Sequence, residues 1–408
     1  MSSPVTTAPV RFADRPVPGS GPAGSFYFLL AFLFLLYANL PLLYPALDAL
    51  RPAKIVAGAA LVMFCGEALS GRRQIELSWP EGFVLLAFLS LAALSCVTAL
   101  WPGYAGEAFS DLIKMAIVYF FLANCAGAID RLRAVMWTML VGGLFPAAGT
   151  LHHYVRGELE EGRATWIGIF GNPNEAAYGL VILIPIAAFL AGRASWTPRL
   201  LLFAMVSVYL AAIFVTFSRG GLVGLAAVSL LIGWRKRSIF LQGLLVAALA
   251  GGLIYAGRHW SRSEGFSNLQ GDMSFQQRIA TLRVGLAVFA DHPLTGVGLG
   301  CSVIAWPLYA PKDLYSRGAL VTHNTAIQPL AETGIFGFLA FGLFIAMSIY
   351  SARTLALGTS TLADLGAALE ISLWGFVVCG LSGGYVLTWF PYILTGLVSA
   401  ARRVGAES

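Results

Sequence analysis

One histidine stands where an imidazole can act on a polar substrate at a membrane surface. His323 lies between Thr322 and Asn324, directly before an apolar run that is typical of a membrane helix. A neutral imidazole at such a position can accept a proton from a hydroxyl group, which is the work of a general base. A structural alternative stays open, because Thr322 and Asn324 are also good helix caps and His323 can simply lie at the interface.

A cation separates two apolar runs further back in the chain. Arg219 follows Ser218 and precedes Gly220 and Gly221, with almost no polar loop around it. A charge at a membrane boundary is a functional candidate, and a guanidinium binds phosphate through a two-pronged pair of hydrogen bonds. The glycines permit close approach by another helix or by a ligand. The alternative is an arginine whose side chain merely snorkels to the membrane surface.

Residues 275–290 have the pattern of an amphipathic helix lying near the membrane surface, and they include Arg278 and Arg283. Either arginine can hold an anionic headgroup or face bulk water, and the sequence leaves both roles open. Pro293 is expected to end this helix. The glycines at positions 296, 298 and 300 then predict a tight turn. Since this turn follows a helix rather than a strand, it is not a nucleotide-binding fingerprint.

Two further groups of polar residues favour local roles. Asp111 and Lys114 are three residues apart in a predicted membrane helix, so they either neutralise each other or contact a substrate. The sequence from Asn172 to Glu175 is typical of a helix N-cap with an acid in the first turn.

The histidines at positions 152 and 153 lie near several glutamates, which raises the question of a metal site. Adjacent histidines on a helix are expected to point in different directions, so this segment is interpreted as a solvated loop. The predicted outer segments also lack an Asp-x-Asp pattern, which favours arginine over a metal ion as the counter-charge of a phosphate. No metal site and no cofactor are therefore predicted.

The composition is that of a chain whose solvent is largely lipid. Of its 408 residues, 58% are hydrophobic and only 11% are charged, whereas soluble domains carry about 25% charged residues. The chain is therefore predicted to be an all-α integral membrane protein. Its net charge of +6 is explained by basic loops on one side of the membrane, and no nucleic acid is needed as a partner.

Apolar runs of about 17–25 residues predict about twelve transmembrane helices. They are placed near residues 26–47, 53–69, 82–100, 109–128, 132–151, 174–191, 199–217, 220–234, 239–257, 325–351, 363–382 and 385–400. Arginine and lysine are concentrated in alternate loops, which predicts that both termini are cytoplasmic.

The same reasoning divides the chain into five segments. They are a cytoplasmic tail at 1–25, nine helices within 26–257, a long and partly helical loop at 258–324 on the outer side of the membrane, three helices within 325–400, and a second cytoplasmic tail at 401–408. The candidate residues His323, Arg219 and Arg278 all fall on the outer side of this topology.

In this order, the motifs resemble those of the O-antigen ligase and O-antigen polymerase superfamily, and most closely the lipid A-core ligases. The resemblance covers roughly residues 100–350. It rests on Gly171-Asn172-Pro173-Asn174-Glu175, Ser218-Arg219-Gly220-Gly221, Arg278, the run from His292 to Gly300, His323-Asn324 and Glu332-Thr333-Gly334. Thr325-Ala326 departs from the aromatic residue or leucine that usually follows the His-Asn pair.

The resemblance implies a multi-span glycosyltransferase of the C type that is inverting and needs no metal. Its donor would be a glycan on undecaprenyl diphosphate and its acceptor a sugar hydroxyl of lipid A-core, at the periplasmic face of a Gram-negative inner membrane. The family's catalytic histidine falls on His323, and its diphosphate-binding arginines fall on Arg219 and Arg278. Asn324, Lys114 and Arg283 are further candidates for substrate contact.

Two kinds of alternative remain at this point. Within the same class, the protein can be an O-antigen or exopolysaccharide polymerase, or a protein O-oligosaccharyltransferase, because these share the same motifs. A transporter of lipid or polysaccharide is the alternative of another class. That function would predict broken helices with charges near the middle of the membrane, whereas the unusual charges here gather at the outer boundary.

Overall fold

The computed structural model describes residues 24–160, 162–236, 273–311, 319–358 and 362–407, and these are helical with no strand among them. The helices are α1 Gly24–Ala38, α2 Leu40–Leu43, α3 Pro45–Ala49, α4 Pro52–Leu69, α5 Glu81–Val97, α6 Pro102–Cys125, α7 Ile129–Arg156, α8 Pro173–Val181, α9 Leu183–Arg193, α10 Trp196–Val215, α11 Arg219–Lys236, α12 Met273–Asp291, α13 Ser302–Tyr309, α14 Ile327–Leu357, α15 Ala363–Gly380 and α16 Trp389–Glu407.

Within the described ranges, seven helical stretches are long and apolar enough to cross a membrane, and α1 and α5 are shorter apolar helices. The prediction of an all-α integral membrane protein is confirmed. The number twelve stays a prediction, because α11 and α16 carry charged residues at their ends and the predicted span at 239–257 lies outside the described residues. The tail at 1–25 and the first part of the predicted loop at 258–324 also lie largely outside them.

Most predicted spans coincide with a helix, and the first one differs for a local reason. It was expected to reach residue 47, but α1 ends at Ala38. Asn39 then adopts a left-handed conformation with φ 51°, and two short helices follow, with Pro41 in the first turn of α2 and Pro45 at the start of α3. Proline at the first turn of a helix fits because its missing N–H is not needed there.

Ion pairs tie the helices together at one end of the bundle. Arg402 of α16 pairs with Glu81 of α5 at 3.0 Å, and the Glu81 side chain is completely buried. Arg235 likewise pairs with Glu370, and Arg193 with Asp364. The basic residues in these pairs are among those predicted to face the cytoplasm, so this end is called the basic end below. The orientation of the bundle in the membrane stays a prediction.

The opposite end is built differently, around a break in α14. Gly334 has φ 71° and ψ −170°, so the helix is interrupted after its second turn. The Gly-rich turn at 293–300 docks into the break through three backbone hydrogen bonds, which run from the amides of Val297, Gly298 and Ile335 to the carbonyls of Ala331, Glu332 and Pro293 at 2.9–3.0 Å. These bonds satisfy peptide groups that the broken helix cannot pair internally.

Glycine is required at this junction because two stretches of main chain lie in contact. A Cβ atom on Gly334 would overlap the carbonyl of Leu294, and one on Gly296 would overlap the backbone of Glu332. Both glycines also have positive φ, a conformation that other residues rarely adopt. The predicted tight turn is thus confirmed, but its partner, the break in α14, was not predicted.

Candidate functional site

The loop at 381–388 holds the segment that carries His323. The amide of Thr325 donates to the carbonyl of Gly380 at 2.7 Å. The Thr325 hydroxyl donates to the carbonyl of Gly383 at 2.7 Å and accepts from the amide of Tyr385 at 3.0 Å. A threonine in place of the expected aromatic residue or leucine therefore has a local reason, since its hydroxyl joins this segment to the loop.

Asn324 is the cap of the helical turn that leads into α14. Its side-chain oxygen accepts from the amides of Ala326 at 2.9 Å and Ile327 at 3.1 Å. Its side-chain nitrogen donates to the carbonyl of Leu381 at 3.2 Å. The capping role considered from the sequence is therefore present, and it leaves substrate contact by Asn324 as a prediction.

His323 lies half-buried at this point, and Arg278 is close enough to influence it. Burial lowers the pKa of the imidazole below its ordinary value, and the positive charge of Arg278 lowers it further. Both effects disfavour the protonated ring. At neutral pH the imidazole is therefore uncharged and able to accept a proton.

Arg278 reaches this region because α12 packs against the start of α14. Gly285 of α12 lies so close to Ile327 that an added Cβ would overlap the Ile327 side chain. Arg278 itself is half-buried, whereas Arg283 on the same helix is exposed. The helix predicted at 275–290 is thus confirmed as α12, and of its two arginines Arg278 is the one whose charge lowers the pKa of the histidine.

Arg219 begins α11, next to the loop that holds the histidine segment. The preceding Ser218 caps α11, since its hydroxyl oxygen accepts from the amide of Gly221 at 3.2 Å. A Cβ on Gly220 would overlap the Ser382 hydroxyl, so the helix start and the loop are in direct contact. The half-buried guanidinium therefore adds its charge to the positive end of a helix, a combination that attracts anions.

Sequence reasoning did not single out Arg163, which the structure shows to be buried at this end. It is 8% exposed, and it donates to the carbonyl of Thr216 at 2.9 Å and to the side-chain oxygen of Asn174 at 2.8 Å. It thus joins the segment after α7 to the start of α8 and to the end of α10. No local pattern distinguishes Arg163 from its exposed neighbours, because its partners are distant in sequence.

Tyr385 shows that several of these groups share one electrostatic environment. Burial is the main cause that raises its pKa well above the ordinary value, and the neighbouring Cys379 and Glu175 act in the same direction. Arg278 and Arg163 oppose that shift. The arginine beside the catalytic candidate and the missed arginine are therefore both close to the same phenol.

Glu332 holds the Gly-rich turn to the broken helix. Its side chain is buried, and it accepts from the amide of Gly300 at 3.0 Å, the hydroxyl of Ser302 at 2.6 Å and the amide nitrogen of Gln328 at 3.4 Å. A buried carboxylate with three donors is well satisfied. The sequence had offered Glu332 only as part of a motif, and the structure gives it a positioning role.

Two candidates are arranged less centrally. Lys114 pairs with Asp111 at 2.6 Å, and both side chains are more than half exposed, so mutual neutralisation is observed.

The expectation that His152 and His153 point apart is wrong. Their ligand atoms and those of Glu158 lie within 4.8 Å of one another, because the end of α7 bends back at Gly157 and brings Glu158 to His153.

The asparagine cap predicted for the sixth span is confirmed. The side chain of Asn172 accepts from the amide of Asn174 at 2.8 Å, and Pro173 begins α8. Asn174 in turn accepts from the hydroxyl of Ser218 at 2.8 Å. The Asn-Pro-Asn motif therefore connects α8 to the start of α11 as well as capping its own helix.

These features define a multi-pass membrane protein with a polar site at one end of its helical bundle. Residues 204–342 match the family described as O-Antigen ligase, which supports the resemblance to the O-antigen ligase superfamily and a function of the ligase or polymerase type. The matched stretch includes Arg219, Arg278, His323 and Glu332. No curated protein matches the chain.

Proposed function

We propose that this protein is an O-antigen ligase that transfers a glycan from undecaprenyl diphosphate to a sugar hydroxyl of lipid A-core. The reaction would be inverting and metal-independent, at the periplasmic face of a Gram-negative inner membrane. The observation that carries the proposal is the half-buried imidazole of His323 beside Arg278. This pairing of a base with a cation is what a transfer reaction from a diphosphate requires.

In the proposed reaction, His323 accepts the proton of the acceptor hydroxyl while the hydroxyl oxygen attacks the anomeric carbon. The bond between that carbon and the phosphate oxygen breaks from the opposite face, and the undecaprenyl diphosphate leaves. A general base of this kind contributes typically ~10²–10⁴-fold to the rate. The lowered pKa of His323 supports this role, because the ring is uncharged and ready at neutral pH.

Arg219 and Arg278 hold the diphosphate and stabilise the negative charge that grows on it as the bond breaks. Such preorganised donors contribute about 3–4 kcal/mol each in well-studied enzymes. Their placement supports the assignment, since Arg219 stands at the positive end of α11 and Arg278 stands beside the base. Because the diphosphate is already a good leaving group, the proposed mechanism uses no general acid.

The buried charges do not support the alternative that this protein is a transporter. Among the described residues, the buried charged side chains are Glu81, Arg163, Glu332 and Glu370. Each has a protein partner. The break in α14 also falls within its first two turns, and it is filled by the Gly-rich turn, so it does not form a mid-membrane site of the transporter kind.

An in vitro transfer assay tests the proposal. Purified protein would receive undecaprenyl-diphosphate glycan and lipid A-core with a chelator present, in wild-type and His323→Ala forms. We expect wild-type protein to modify the core and His323→Ala to lose at least about 10²-fold of that rate. Full turnover by His323→Ala would overturn the base assignment.

The same assay separates the ligase from its relatives. Extension of the donor glycan without modification of the core would identify a polymerase. Transfer to an added protein acceptor would identify a protein O-oligosaccharyltransferase. Absence of every transfer, in a sample that still binds the donor, would contradict the glycosyltransferase assignment.

A further inference from the structure

A polar cavity of about 340 Å³ lies beside the His323 segment, and the proposed mechanism does not use it. It is enclosed by α6, the start of α8, the Gly-rich turn, the start of α14 and the loop at 381–388. Its volume is within the range of small-molecule sites, which is about 300–1,000 Å³. Thr322, the residue directly before His323, is part of its wall.

The titratable groups that line the cavity are mainly acidic. Its wall includes Glu107, Asp111, Glu175 and Glu332, and none of the described residues that line it is a lysine or an arginine. Carboxylates accept hydrogen bonds and repel anions. A diphosphate is therefore excluded from the cavity and left to Arg219 and Arg278, whereas a group rich in hydroxyl or ammonium donors is favoured.

Among the lining side chains that are buried or half-buried, two polar ones have no hydrogen-bond or ion-pair partner within the part of the chain that the structure describes. Thr322 is 6% exposed, and its hydroxyl makes no hydrogen bond there. The half-buried carboxylate of Glu175 makes neither a hydrogen bond nor an ion pair there. Polar groups this buried are normally satisfied, so both have free hydrogen-bonding capacity for a ligand in the cavity.

The other two acids near the centre are already engaged. Asp111 is paired with Lys114 at 2.6 Å, and Glu332 accepts three hydrogen bonds from its surroundings. Glu107 and Glu175 therefore supply the available acceptors, and they face the cavity from α6 and α8. Tyr104 adds an aromatic ring to the same wall, against which the C–H face of a sugar ring can pack.

We propose that this cavity is a subsite for a sugar ring that carries free hydroxyl or amino groups and no acidic group. The inference rests on the proposed function, because it names the sugar chemistry that the same site accepts. Such a ring has two possible sources, the acceptor sugar whose hydroxyl is presented to His323 and the donor sugar nearest the diphosphate. Both place a sugar within reach of Thr322 and therefore of the base.

Direct binding tests the subsite without relying on transfer. The full-length protein in detergent would be titrated with methyl glucoside, glucosamine and glucuronate, and binding would be followed by saturation-transfer NMR. We expect the first two to bind at least about fivefold more tightly than glucuronate, because the carboxylates repel the acidic sugar. Equal or tighter binding of glucuronate, or no binding of the neutral sugar, would overturn the proposal.

Three variants connect that preference to the cavity. Glu175→Gln removes a negative charge and should reduce the discrimination against glucuronate by several-fold. Thr322→Val keeps the shape of the side chain and removes its hydroxyl, so it should weaken the binding of all three sugars. This second variant still tests the cavity if Glu175→Gln fails to fold. Asp48→Asn removes an exposed carboxylate outside the cavity and serves as the matched control. Variants of Glu175 and Thr322 that both bind like wild type would rule the cavity out.

Kinetics then identify the source of the sugar. If the acceptor ring occupies the cavity, Glu175→Gln raises the KM for the acceptor by about tenfold, the size expected for one charge-assisted hydrogen bond, and leaves the KM for the donor unchanged. If the donor ring occupies the cavity, Glu175→Gln raises the KM for the donor instead and leaves the KM for the acceptor unchanged. A wild-type protein that binds neutral sugars but transfers nothing would refute the proposed function while leaving the subsite intact.

Discussion

The two ends of the helical bundle use charge in opposite ways. At the basic end, arginines meet carboxylates, as in the pairs Arg402–Glu81 and Arg235–Glu370. At the site end, Arg278 lies beside His323 and lowers its pKa. Pairing opposite charges stabilises the packed helices, whereas placing two basic groups near each other lowers the pKa of one of them, as the proposed base role requires. The comparison distinguishes charges that hold the fold from charges that serve chemistry.

The largest effect is expected from the main-chain junction that builds the site end. Gly334→Ala would place a methyl group against the carbonyl of Leu294 at a positive φ, so the turn and the helix can no longer dock. We expect at least about 10²-fold loss of transfer, because a misplacement of about 1 Å near a reacting centre already costs that much. Transfer rate per folded molecule is the measurement.

The same helix offers a matched control. Gly342 has open space around its Cα, so Gly342→Ala should leave transfer unchanged and slightly raise stability, since alanine is the better helix former. Loss of activity in both variants would mean that α14 is merely intolerant of change. Wild-type activity in Gly334→Ala would show that the break does not position the site.

A substitution at the basic end should affect stability and spare the chemistry. Arg402→Gln leaves the buried carboxylate of Glu81 without its cation. Breaking a fully buried pair costs roughly 3–5 kcal/mol, and because Arg402 is partly exposed we expect about 2–3 kcal/mol here. Thermal unfolding in detergent should show a lower Tm, while the transfer rate of the protein that remains folded stays near wild type.

Arg133→Gln is the corresponding control, because its pair with Asp130 is exposed. Such surface pairs contribute about 0–1 kcal/mol, so the Tm should barely change. An equal loss in the two variants would indicate that charge near this end acts collectively and not through the buried pair.

The pH dependence of transfer sharpens the role of Arg278. The reaction needs neutral His323, so kcat/KM should be maximal above the lowered pKa and fall as the pH drops through it. Arg278→Gln removes the positive neighbour, which raises the pKa of His323 and moves the acidic limb to higher pH. An acidic limb that does not move in Arg278→Gln would show that Arg278 acts only by binding the diphosphate of the donor and does not affect the pKa of His323.

The smallest effect is expected for Arg283, the exposed arginine on the same helix. Arg283→Gln should change kcat/KM by less than about twofold and leave the acidic limb unmoved, since solvent screens an exposed charge strongly. A large rise in the KM for the donor would instead support the substrate contact predicted for Arg283 from the sequence.

Much of the fold follows from features that are local in sequence. Hydropathy placed the spans, the amphipathic pattern placed α12, and Asn172 signalled the cap of α8. The break at Gly334 could not be found in this way, because it depends on contact with Leu294, forty residues earlier. Arg163 escaped notice for the same reason, and the convergence of His152, His153 and Glu158 depends on a reversal at the end of α7.

In the candidate site, too, some features follow from the local sequence and others depend on contacts between distant parts of the chain. Residue types and motif order led to His323, Arg219 and Arg278, since their chemistry is intrinsic to the side chains. That Arg278 is half-buried and acts on the histidine, whereas Arg283 is exposed, depends on how α12 packs against Ile327. The polar cavity was not foreseen at all, because its walls come from five separate segments of the chain.

The junction between the Gly-rich turn and α14 also has a consequence for protein engineering. Its bonds run between peptide groups and to the carboxylate of Glu332, and Glu107 and Glu175 contribute none of them. A library that varies these cavity-lining acids can therefore explore new sugars on an unaltered frame. The two glycines at 296 and 334 should stay unchanged in such a library, while the residues that line the cavity are substituted.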